Sequence, residues 1–185
     1  MAGGVFLLRI NFSFESFYPK EDPEFKYYQE FSENFTEEQN YIIYLAVKSP
    51  SADIFDASFL QRSDQLFQEI KKLEGIDSVL SALQMVQVRR RGVSFKLTPY
   101  LECESEEMLD RSKQRNQKDS TLIGTFISRD RHSICAYLFT DPAIFVMPAW
   151  DDMNRALEAT LDESGLKFQL SGIPHIRTKY VETIA

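Results

Sequence analysis

The sequence predicts an α+β fold, and three features of its pattern carry that reading. Strand–helix–strand order occurs twice, over residues 40–83 and 133–176. The helix in each pass shows an apolar stripe at helical spacing, and the strands around it are short and apolar. A less regular segment, 84–132, separates the two passes and reads as an insertion. Right-handed crossovers would lay both helices on one face of one sheet. The simplest closure is the split βαβ, or ferredoxin-like, sandwich. Residues 1–39 read as a lead-in strand and aromatic helix, and 177–185 as a terminal helical stretch, all within one domain.

The elements follow from local signals. "VFLLRINFSF" is apolar and then alternates, so it reads as extended. Asp22 is suited to cap a helix, and Pro23 to its first position, where the missing N–H costs nothing. Phe25, Tyr28, Phe31 or Ser32, and Phe35 then fall near one face of a helix over about 23–35. "YIIYLAVKS" is a strand whose near-continuous apolar run implies burial on both faces or a place in the middle of a sheet. Asp56 caps the next helix, which Phe59, Leu60, Ser63, Leu66, Phe67, Ile70 and Leu73 make amphipathic over about 57–73. Lys71 and Lys72 suit its last turn, and Gly75 its stop. "IDSVLSALQ" is a second strand.

In the insertion, Val86/Val88 and Val93/Phe95/Leu97 alternate on either side of Gly92 and predict a β-ribbon. "ESEEMLDRSKQRNQKD" reads as a short solvated helix with a loop. "SICAYLFT" is a buried strand. Trp150, Met153, Ala156, Leu157 and Leu161 line a helix over about 149–164, which Gly165 can end, and "KFQLSGI" closes the sheet. Leu66, Phe67, Ile70, Met153 and Leu157 are the expected core between sheet and helices.

Composition narrows the function. The hydrophobic fraction of 43% supports a packed core, and the net charge is −7. An acidic chain lacks the broad basic face that general nucleic-acid binding requires. No run approaches the ~20 apolar residues that span a bilayer, and the first residues do not form a signal peptide. The sequence contains no nucleophile elbow, phosphate loop, dinucleotide fingerprint or zinc-protease motif. No catalytic, cofactor or metal residues are therefore assigned. His132, in "SRDRHS", reads as a solvated turn histidine, and His175 as a contact of the following helix. Asp151 and Asp152 sit at a helix start, where carboxylates favour the dipole. Cys103 and Cys135 lack metal-ligand spacing and suit two free thiols better than a disulfide. The sequons at Asn11 and Asn34 are short enough to arise by chance. Arg89, Arg90 and Arg91 are the candidate contact for an anionic partner, lipid headgroup or substrate, against the simpler reading of a solvated basic tip.

The order of motifs resembles a known family. "FSFESFYPKEDPEFKYYQEFSENFTEEQNYIIYLAV", "IFDASFLQRSDQLFQEIKKLEGIDSVLS", "TFISRDRHSICAYLF" and "FQLSGIPHIRTKYVETI" resemble successive parts of the loop after the first transmembrane helix in resistance-nodulation-division exporters, particularly the MMPL-like branch. The resemblance implies an extracytoplasmic porter-type domain of a proton-driven exporter, on the periplasmic side of a bacterial inner membrane. "VFLLRI" would leave one membrane helix, and 177–185 would approach the next. Its partners would be the membrane helices, the second porter loop and a hydrophobic or lipid-like cargo. It would need no cofactor and perform no catalysis, because the proton-carrying carboxylates of such transporters lie in membrane helices. Two alternatives remain: a free-standing ferredoxin-like small-molecule or regulatory module, and an enzyme on the same fold.

Overall fold

The computed structural model describes residues 41–51, 53–91, 94–116, 119, 121–144 and 149–184, together with Pro23, Lys26 and Tyr27. The chain divides into two compact units, 1–38 and 39–185. In the first, Pro23, Lys26 and Tyr27 are helical. The lead-in strand, the rest of the aromatic helix and both sequons lie outside the described residues.

Among the described residues the second unit is α+β, with a mainly antiparallel sheet and four α-helices. Its elements in order are β1 (Ile42–Lys48), α1 (Ala57–Ile70), β2 (Ile76–Ser81), β3 (Val86–Arg91), β4 (Ser94–Pro99), α2 (Glu106–Asn116), β5 (Ser133–Thr140), α3 (Ala149–Glu163), β6 (Lys167–Ser171) and α4 (Ile173–Ile184). A 3₁₀ turn, Pro142–Ile144, precedes α3. The main sheet has the order β2-β5-β1-β6, and every neighbouring pair in it is antiparallel. β3 and β4 form a separate two-stranded ribbon.

Strand alternation divides the main sheet into two unlike faces. Ile43, Leu45 and Val47 of β1, Val79 of β2, and Ile134, Ala136 and Leu138 of β5 are buried. They form one core with Leu66, Phe67 and Ile70 of α1 and Met153, Leu157 and Leu161 of α3. The two helices also touch each other, so both cover the same face of the sheet.

The opposite face is more open, and of the two readings of "YIIYLAVKS" the mid-sheet place is the one the strand order gives. β1 does lie in the middle of the sheet, but it is not buried on both sides: Tyr44 remains 38% exposed. The apolar run is long because one face packs the core while the other carries an aromatic cluster. Tyr137 meets Tyr44 edge to face, with ring centroids 5.3 Å apart, and Phe126 at 4.9 Å.

The helix ends show how the passes turn. The Asp56 carboxylate accepts from the Phe59 N–H at 2.9 Å and caps α1. α1 stops at Ile70, before Lys71 and Lys72, because the chain tightens there into turns. Lys72 N–H donates to Glu69 C=O at 3.0 Å and Leu73 N–H to Ile70 C=O at 3.0 Å. Lys71 is thus the C-cap rather than a last-turn residue. In α3, Ala156 is exposed although its spacing predicts the apolar face. Asn154 is buried instead, its amide donating to Trp150 C=O at 3.0 Å and reaching Thr178 of α4 at 3.4 Å. Trp150 Nε1 donates to the same Thr178 hydroxyl at 2.6 Å. The packing of α4 therefore rotates the buried face of α3 toward residues 150 and 154.

The insertion is more firmly attached than a solvated helix and loop. α2 buries Leu109, Ser112 and Asn116. Lys113 reaches Asp53 at 2.6 Å, and Arg115 pairs with Glu102 at 3.1 Å. Leu101, Leu122 and Ile127 also join the main core. Charged residues dominate the helix sequence, but enough of its spaced small and apolar positions point inward to dock it.

Candidate functional site

The open face of the sheet carries a cleft of about 500 Å³ where the end of β1, the start of β6 and the turn before β5 converge. Its walls include Lys48, Lys167, Asp130 and His132, with Ala46, Leu166, Phe168 and Gln169 supplying most of the rest. Lys48 and Lys167 are direct cross-strand partners. Like charges directly opposite each other in a sheet repel, and the register sets both on a wall that also carries the Asp130 carboxylate.

The turn is fixed by its own side chains. Ser128 Oγ lies 2.5 Å from Asp130 Oδ1, and the same carboxylate oxygen accepts from His132 N–H at 3.1 Å. Ser128 Oγ accepts from Ser133 N–H at 2.9 Å. Arg131 takes a left-handed conformation, φ 59°. Its carbonyl accepts from Ile54 N–H at 2.9 Å, and that of His132 accepts from Ser49 N–H at 2.8 Å. These bonds pin the turn against the segment after β1. The Ser128 hydroxyl, followed by the His132 backbone N–H, holds the Asp130 carboxyl below its usual range.

The His132 ring is 3.8 Å from Asp130 Oδ2, and its side chain is 44% exposed. That separation is longer than a hydrogen bond, and the other carboxylate oxygen holds the turn. His175 lies in the first turn of α4, on a different element from His132. Asp151 and Asp152 occupy the first turn of α3, and Asp152 is bound to Arg155 at 2.7 Å.

Cys103 and Cys135 are free thiols. Burial pushes both upward in pKa, with the Asp64 charge adding to the effect at Cys103. Burial also raises the Tyr137 phenol, which donates to Thr125 C=O at 3.1 Å. Among the described residues, no group of three or more His, Cys, Asp and Glu side chains could hold a metal.

Arg89, Arg90 and Arg91 belong to β3 of the ribbon, on a different element from the strands that wall the cleft. They occupy strand positions, with Arg91 opposite Ser94 at one end of the ladder. The lysine pair escaped the sequence reading because Lys48 and Lys167 are far apart in the chain. Only the β1–β6 register brings them together.

No family model matches the sequence, and comparison with curated proteins finds no significant match. No helix of the described residues is long and apolar enough to cross a membrane.

Proposed function

We propose that the chain is a ferredoxin-like, porter-type domain of a resistance-nodulation-division exporter of the MMPL-like kind. In this reading it lies on the extracytoplasmic side and forms part of the substrate path. It transmits movement between membrane helices and the cleft that handles a hydrophobic or lipid-like cargo. Its contribution is conformational: packed domains shift against one another while proton chemistry proceeds elsewhere in the parent.

The observation that carries this proposal is the strand order. β5 lies between β1 and β2, while β6 pairs with the other side of β1. With α1 and α3 on one face, that is the interleaving expected of a split βαβ sandwich. The order also agrees with the succession of motifs that resemble the exporter loop. The open aromatic face around Tyr44 and Tyr137 offers a surface for a neighbouring domain. Export by the full-length parent, with this domain deleted or locked by engineered cysteines, tests the proposal. Loss of export at normal protein levels is expected, and unimpaired export would overturn it.

The cleft favours a second reading as a small-molecule-binding module. Lys48, Lys167 and His132 could receive the charged end of a small anion, with Leu166 and Phe168 beside its apolar part. Titration with small carboxylates, followed by chemical shifts on the cleft backbone, distinguishes the readings. Saturable binding lost in Lys48→Gln would favour the module; no binding would remove it.

A further inference from the structure

We propose that the β3–β4 ribbon is a docking surface for an anionic lipid bilayer. The ribbon leaves Val86, Val88, Phe95 and Leu97 between 53% and 74% exposed. Register places Val88 opposite Leu97 and Val86 opposite Pro99. Since directly opposed residues share a face, these side chains form one apolar stripe. An isolated two-stranded ribbon is marginal in water, and exposed contiguous apolar surface marks an interaction site.

Charge selects the occupant. Residues 86–99 contain Arg89, Arg90, Arg91 and Lys96 and no Asp or Glu, although the chain as a whole has a net charge of −7. Arg90 is exposed opposite Phe95, at the end of the apolar stripe. Basic side chains are drawn to anionic headgroups, and apolar side chains beside them can enter the headgroup–acyl boundary. A bilayer offers both environments at the required depth. This inference does not depend on the transport reading, because a free-standing module could use the same ribbon at a membrane surface.

The test is co-sedimentation of the full chain with vesicles of phosphatidylcholine alone or mixed with phosphatidylglycerol. Binding should require phosphatidylglycerol and weaken as salt rises. Arg90→Gln should weaken it about fivefold, the effect of one cation near a charged membrane. Phe95→Ser with Leu97→Ser should weaken it by about tenfold or more through lost apolar insertion, with circular dichroism confirming the fold. Should the double variant fail to fold, Arg90→Gln and the salt series still decide the matter. Absent binding, equal binding to both vesicle types, or insensitivity to these changes would overturn the proposal. So would a dimer in solution that Phe95→Ser disrupts, since a second copy would then occupy the stripe.

Discussion

The main sheet and the ribbon are both antiparallel β-structure, but they resolve their apolar side chains differently. In the main sheet, Leu45 and Leu138 are fully buried beneath α1 and α3. In the ribbon, Val88 and Leu97 face each other across the strands and remain 67% and 63% exposed. Alternation therefore marks a strand without showing what covers it. The helices that complete the main sheet come from its own strand–helix–strand passes, whereas β3 and β4 are separated by only residues 92–93.

The largest test of this contrast is Leu66→Ala. Leu66 is 1% exposed in the core between α1 and the sheet. Removing its buried methyl groups leaves a cavity and should destabilise the unit by about 2–5 kcal/mol, measured by urea unfolding. A loss below about 1 kcal/mol would show that the core can collapse around the gap. Gly172→Val comes next. Gly172 turns the chain from β6 into α4 at φ +115°, and a Cβ there would lie 2.4 Å from the Ile42 carbonyl oxygen. A non-glycine residue is strained in that region and must also push β1 away, so a loss of about 2–3 kcal/mol is expected. Thermal unfolding checks it; an unchanged midpoint would mean that the β6–α4 junction relaxes freely.

The readable parts of this fold were those where local pattern and packing agree. Asp56 supplied a cap, and Leu66, Phe67, Ile70, Met153 and Leu157 recur at helical spacing toward a surface that does bury them. The exchange of Ala156 for Asn154 was less legible, because Thr178 satisfies the buried amide from another helix. The attachment of α2 was hidden for a similar reason: Lys113 and Asp53 form an ion pair across 60 residues. The cleft depends on the same kind of long-range register, with Lys48 and Lys167 meeting only after β1 and β6 pair.

The Lys113–Asp53 pair provides a smaller test, of whether the insertion docks partly by charge. Burial raises the Asp53 pKa, but the Lys113 hydrogen bond, the Phe55 N–H and the Lys113 and Arg131 charges outweigh it and lower the pKa overall. A depressed carboxyl pKa contributes stability that is present above the ordinary aspartate value, about 4. That contribution is lost as pH falls through the lower folded value. Protection factors of the α2 amides, taken relative to intrinsic exchange at each pH, should therefore fall in acid. Lys113→Gln should remove much of that pH dependence while costing at most about 1 kcal/mol, since both partners remain partly solvated. An acid response unchanged by Lys113→Gln would place its cause elsewhere.

The smallest expected effect is the sharpest check on the contrast between the two β-structures. Val88→Thr replaces a methyl with a hydroxyl on the exposed stripe while keeping the branched shape that suits a strand. With Val88 67% exposed, there is little buried apolar area to lose and no need to desolvate the new hydroxyl. Stability of the isolated chain should change by no more than about 0.5 kcal/mol. Urea unfolding at two protein concentrations distinguishes a property of the fold from one of association. A larger loss at both concentrations would mean that Val88 is covered within the chain, and the ribbon would then be a packed layer like the main sheet. A loss confined to the higher concentration would show that another copy covers it. A neutral result at both would leave the stripe uncovered in the isolated chain, free to meet a surface outside it.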